Sequence, residues 1–233
     1  MHTFKLIDVS HTVEEGLHTY PGLPAPVIGD YISREDSRAN YAPGTEFHIG
    51  RIEMVANTGT YLDAPFHRYR EGADLAALPL HRLANLQGLV VRTNANSQAM
   101  EDQRAIDATA FEGYPLANRA VLVHTGWSRH WKSETYFSGH PYLTEDAAKY
   151  LRDSGVALVG IDSLNIDDTA DGRRPVHSLL LQAGIPIVEH LTGLDKLPEV
   201  GFRFFAVPTK IRRLGSFPVR AFGVVDDPTR HDI

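Results

Sequence analysis

Four side chains in this sequence have the types and spacing to do chemistry. Asp63 and His67 stand four positions apart, with Pro65 between them, in the stretch Asn57-Thr58-Gly59-Thr60-Tyr61-Leu62-Asp63-Ala64-Pro65-Phe66-His67. A carboxylate and an imidazole on one rigid loop can share a cation or pass a proton. Asn57 and Gly59 favour a turn, and Pro65 fixes the backbone ahead of Phe66 and His67. The stretch therefore reads as an irregular loop at a strand's end, where a scaffold leaves side chains free to act. His177 sits in the first turn of a helix opened by Pro175, and Glu189 closes the apolar run Ile185-Pro186-Ile187-Val188. The helix's positive end disfavours an imidazolium, which predicts a neutral His177 able to ligate a metal. A carboxylate ending an apolar strand needs a partner or a cation. One short helix and one strand separate these two, so both can reach one edge of the fold. Each also has a plainer role: a hairpin turn at Asn57–Gly59, loop capping by Asp63, a surface place for His67, helix capping by His177.

The elements that must carry these groups follow from pattern. Residues 4–9 alternate and read as a first strand. Tyr20-Pro21-Gly22-Leu23-Pro24 is too rich in proline for a helix and reads as an extended loop. Phe47 to Ala56 alternates loosely, as a strand entering the Asn57 loop would. Asp74 to Leu83 suits a short helix, or two pieces broken at Pro79. Leu86–Arg92 and Ala120–Thr125 are apolar runs of buried-strand type. The span 93–118 suggests no chemistry. Thr144 caps a helix that runs to Ser154 and stops at Gly155, and the apolar run 156–161 follows as a strand. A capped helix feeding a buried strand is an α/β unit. Asp162 ends that strand and is expected near the site, whereas Asp167, Asp168 and Asp171 read mostly as solvated loop charges.

Composition excludes several classes. The chain has 233 residues, 42% of them hydrophobic, enough for one large core. Its net charge of −6 comes from interspersed acids and bases, which argues against nucleic-acid binding. No apolar run approaches the length of a transmembrane helix, and the first residues lack a signal-peptide pattern, so the expectation is a cytoplasmic protein with no membrane partner. Cysteine is absent and histidine numbers twelve. Any metal site must therefore use His, Asp, Glu, amide or phenol groups, which favours zinc or manganese. There is no Gly-x-Ser-x-Gly elbow, no His-Glu-x-x-His motif and no phosphate-cradling glycine loop.

The Asn57–His67 stretch resembles the signature of the cyclase family of metal-dependent hydrolases, which includes bacterial kynurenine formamidases and isatin hydrolases. That pattern is His-x-Gly-Thr-His-x-Asp-x-Pro-x-His. Gly59, Thr60, Asp63, Pro65 and His67 match it, while Asn57 and Tyr61 stand where it has two histidines. The likeness extends to His177 with Leu179–Leu181, to Glu189-His190-Leu191, to Thr125-Gly126-Trp127, and to Phe204–Lys210 and Gly215–Phe222. It implies an α/β fold, a single compact domain over 1–233 of the swivelling β/β/α type, with a mixed sheet and flanking helices. It implies Asp63, His177 and Glu189 as metal ligands and His67 as the proton-transfer residue. Tyr20, Asn57, Tyr61, Phe66 and Trp127 would then line the substrate, and the protein would be a homodimer or homotetramer.

With two signature histidines replaced, the resemblance implies one divalent cation, Zn2+ or Mn2+, with a second disfavoured. The expected reaction is hydrolysis of a small amide, cyclic amide or lactone, with formylkynurenine a plausible aromatic substrate. Two other readings stay open at this point: a family member that binds a small molecule without hydrolysing it, and a metal-free lyase or isomerase using His67 with a carboxylate.

Overall fold

In the computed structural model, residues 4–93 and 104–226 are described; part of the span 93–118 and both chain ends lie outside them. The elements in chain order begin with strands β1 (Phe4–Asp8) and β2 (Val27–Ile32) and the single-turn helix α1 (Arg34–Ser37). Strands β3 (Ile49–Glu53), β4 (Tyr61–Asp63), β5 (Leu86–Arg92), β6 (Ala105–Ile106), β7 (Arg119–His124) and β8 (Tyr142–Leu143) follow. Helix α2 (Glu145–Asp153), β9 (Leu158–Ile161), α3 (Pro175–Gln182) and β10 (Ile187–Glu189) form the α/β part, and β11 (Phe202–Phe205), β12 (Ser216–Pro218) and β13 (Phe222–Asp226) close the chain.

Nine strands make one mixed sheet in the order β1-β13-β11-β5-β7-β9-β10-β4-β12. Its centre, from β5 through β10, is parallel; β4 adds antiparallel to β10, and β12 antiparallel to β4. The parallel strands are apolar on both faces because both faces are covered. One core holds Leu62, Val90, Leu122, Val188 and Phe204; the other, under α2 and α3, holds Leu89, Val121, Leu151, Val159 and Leu180. Emptying the Leu62 position to alanine would cost about 2–5 kcal/mol, since the side chain is fully buried.

Local chemistry sets the helix ends. Thr144 accepts the Ala147 N–H at the start of α2, and Gly155 takes a left-handed φ of 71° beyond its end. The 74–83 segment is two pieces, turns on Asp74 followed by a 3₁₀ turn at Leu80–Arg82, with Pro79 at the break. One expectation needs correction. Tyr61-Leu62-Asp63 is a buried strand of the main sheet, not loop. Within the 47–56 run, Ile49–Glu53 is a strand and pairs with β2 in a separate two-stranded ribbon whose apolar side chains are exposed.

Candidate metal centre and pocket

Strand register assembles the site. In the antiparallel β4–β10 pair, Tyr61 lies opposite Glu189 and Asp63 opposite Ile187, while β12 places Ser216 opposite Asp63. The period of two turns Leu62 and Val188 into one core and leaves Tyr61, Asp63 and Glu189 on the other face. The crossover from β9 through α3 to β10 then brings His177 over that face from the helix's first turn. This is the carboxyl end of the parallel strands, where open α/β sheets hold their ligands.

The four candidate groups converge. His177 Nε2 lies 3.6 Å from Asp63 Oδ2 and 3.6 Å from Glu189 Oε1. His67 Nδ1 lies 3.7 Å from Asp63 Oδ1. These separations exceed a hydrogen bond. The two His177 separations each suit a pair of ligand atoms on one ion, since two donors at about 2.1 Å in near-tetrahedral geometry stand roughly 3.4 Å apart. Asp63 Oδ2 is buried and has no hydrogen-bond partner among the described residues. An orphaned buried carboxylate oxygen beside the Nε2 of an imidazole fits a site where a cation could replace the ring's proton. Among the described residues, the potential ligand atoms that all lie within 4.8 Å of one another are those of Asp63, His67 and His177; Glu189 is outside that grouping and, of the three, approaches only His177.

Supporting bonds fix each ring. Asp167 is fully buried; its carboxylate accepts the Val176 N–H at 2.7 Å, the His177 N–H at 3.0 Å and His177 Nδ1 at 2.7 Å. It thus caps α3 and leaves Nε2 of His177 as the free nitrogen. This corrects the reading of Asp167 as a solvated charge. Ser216 donates its hydroxyl proton to Asp63 Oδ1, so its 2.9 Å contact with His67 Nδ1 requires the proton on that nitrogen. The basic nitrogen of His67 is therefore Nε2. A Cβ on Gly215 would fall 2.5 Å from His67 Cα, so only glycine lets this segment pass beneath His67.

Electrostatics also correct the expectation for His177. Burial lowers its pKa, but Glu189, Asp167 and Asp63 outweigh that and push it up to about 10, so the ring holds a proton when no cation is bound. Burial raises Glu189 above the carboxylate range, with His177 opposing and Asp63 reinforcing the shift. Burial would raise Asp63 too, yet His177, His67 and Ser216 hold it low. The two replaced positions act as donors: Tyr61 Oη gives its proton to Glu189 Oε2 at 2.6 Å, and Asn57 Nδ2 approaches Asp63 Oδ1 at 3.5 Å.

The cavity above these groups measures about 420 Å³ and includes Tyr20, Leu23, Asn57, Tyr61, Arg68 and Arg174 in its lining, beside His67, His177 and Glu189. Phe66 and Trp127 are not in that lining. Phe66 is half-buried in the Pro65–His67 turn, and Trp127 gives its indole N–H to Tyr136 O at 3.1 Å. Asp162 does not reach the cavity either: it holds the Thr125–Gly126 turn through three hydrogen bonds at 2.6–2.8 Å.

The family model described as "Putative cyclase" matches residues 7–168 of this chain. The chain belongs to the cyclase family. Kynurenine formamidase of Geobacillus thermodenitrificans is 29% identical over 216 residues, covering 92% of this chain and 95% of that one. The Bacillus cereus kynurenine formamidase is 26% identical over 222 residues, covering 95% and 98%. Among solved structures, an isatin hydrolase bound to the product analogue thioisatinate aligns with a TM-score of 0.82 at 24% identity over 96% of this chain and 93% of that one, a likeness of fold. A potential metal-dependent hydrolase with cyclase activity aligns at 0.76 with 25% identity, covering 97% and 100%. The cyclase-family fold, a mixed α/β domain with a large sheet and few helices, accounts for the architecture.

Proposed function

We propose that this cyclase-family chain is a metal-dependent hydrolase of a small amide, cyclic amide or lactone, arylformamidase-like in cleaving a C–N bond outside peptides. Family membership and the kynurenine formamidase relatives support the class. The observation that carries the metal is the orphaned Asp63 Oδ2 facing His177 Nε2. In this reading Asp63, His177 and Glu189 hold one divalent cation, zinc or manganese by their donor types. Such a cation, when bound, polarises a carbonyl and lowers the pKa of water.

The chain's own groups do the rest. His67 Nε2 takes the proton of the attacking water and returns it to the leaving nitrogen, a contribution of about 10²–10⁴-fold. Ser216 holds His67 in the tautomer this needs, and Asp167 does the same for His177. Tyr61 and Asn57 offer protons to the two carboxylates rather than lone pairs to a second ion, which supports a single cation. Tyr20, Pro21 and Leu23 give the substrate an apolar wall.

A second arrangement has an observation of its own. The Asp63–His67–His177 grouping makes His67 a ligand and leaves Glu189 to Tyr61. Metal analysis and turnover of an N-formyl aryl amide such as formylkynurenine, on wild type and Asp63→Ala, test the proposal. It fails if the wild type binds no metal or if Asp63→Ala keeps full activity. We further propose a homodimer or homotetramer, supported by the exposed apolar side chains Val27, Tyr31, Ile49 and Ile52 of the β2–β3 ribbon. A two-stranded ribbon alone is marginal in water and gains stability from a second copy. No described helix is long and apolar enough to cross a membrane.

A further inference from the structure

Arg174 breaks two backbone preferences at once. It sits at φ 50°, ψ 61°, a left-handed conformation that favours glycine or asparagine, and it precedes Pro175, where extended backbone is favoured. Such strain persists where the surroundings impose it and clusters at ligand clamps. The imposed conformation places Arg174 in the cavity lining, three residues before His177. Its Nη1 is anchored on Asp168 O at 2.8 Å, which leaves its other N–H donors for the cavity side. Tyr20 lines the same cavity. A second arginine, Arg68, follows His67 in the same lining, held by Ser178 Oγ at 3.2 Å.

Among the described residues neither Arg68 nor Arg174 has a carboxylate within ion-pair distance. Asp171, on the same loop, is paired with Arg173 at 2.8 Å, and Asp168 spends a side-chain oxygen on Ala170 N–H. Two arginines thus line the cavity without an ion-pair partner among the described residues. The planar fork of arginine matches a carboxylate in two parallel hydrogen bonds. The apolar wall of Tyr20, Pro21 and Leu23 beside them suits a flat ring.

We propose that Arg174, with Tyr20, binds a carboxylate on the substrate, so that the pocket selects an aryl amide bearing an acid group over its neutral counterpart. This rests on the hydrolase reading of the same site.

The test pairs binding with turnover in the metal-loaded protein. Anthranilate and its neutral carboxamide are titrated calorimetrically into wild type, Arg174→Gln and Arg174→Gly, the last being at ease in left-handed backbone. N-formylanthranilate and formanilide are compared as substrates. Wild type should favour the acid of each pair by roughly tenfold or more, the scale of one charge-assisted bidentate contact. Both variants should weaken anthranilate by about that factor, lose far less on the carboxamide, and raise KM for N-formylanthranilate more than they lower kcat. Equal losses on acid and amide, or an anthranilate affinity untouched by either variant, would overturn the proposal; the second result would mean that the carboxylate sits on the metal alone. If neither formyl compound turns over while acid selectivity persists and follows Arg174, the carboxylate site stands and the hydrolase reading falls.

Discussion

Asp167 Oδ2 lies 2.7 Å from His177 Nδ1, and the same oxygen accepts the His177 backbone N–H at 3.0 Å. One carboxylate therefore caps the helix and selects the nitrogen that faces Asp63 and Glu189. Asp167→Asn keeps an acceptor for the helix but weakens the hold on the ring. Metal affinity should fall about 10–100-fold with helix content unchanged. An unaltered affinity in a metal titration followed by circular dichroism would remove Asp167 from the site.

His67→Ala separates the two ligand arrangements. With His67 as the proton carrier, the variant keeps its metal and loses about 10²–10⁴ in kcat. Loss of the metal itself would assign His67 as a ligand in place of Glu189.

Tyr61→Phe removes the proton that Glu189 Oε2 receives while keeping the ring in the sheet. A buried acceptor left unpaired costs about 1–3 kcal/mol, so urea unfolding of the metal-free protein should show a loss of that size. A change near zero would mean that Tyr61 does not stabilise the carboxylate.

Acid should weaken the fold partly through His11, whose ring stacks on Trp131 at 4.0 Å and whose buried Nε2 has no partner among the described residues. Burial, with Lys132 adding repulsion, pushes its pKa from 6.5 down to about 4. The unfolded chain therefore takes a proton near pH 6.5 that the folded protein refuses until pH 4. Stability is unaffected above pH 6.5 and falls as pH drops through that window, by roughly 2–3 kcal/mol after allowing for partial exposure. His11→Phe keeps the stack and should lose this part of the acid sensitivity. Parallel stability–pH curves for the two proteins would contradict the assignment.

The sequence showed the scaffold better than the site. β5, β7, α2 and α3 carry apolar runs, caps and terminal glycines, all local signals. Asp63, His177 and Glu189 were singled out chiefly because the resemblance linked them, and the structure brings His177 within 3.6 Å of each carboxylate. Ser216 and Asp167 were not. Ser216 reaches Asp63 only through strand register 153 residues apart in sequence, and Asp167 finds its partner only when α3 folds back over its loop. Arg174 was missed because its left-handed backbone is invisible in a one-letter string. Trp127 and Phe66 were over-read, because an aromatic side chain beside a motif says nothing about which way it turns.

Metal stoichiometry of the purified protein, measured by elemental analysis after growth with zinc or manganese, tests the central claim most directly. The account predicts one divalent ion per chain, lost in Asp63→Ala and in Glu189→Ala. Protein that carries no metal, or two ions per chain, would contradict it.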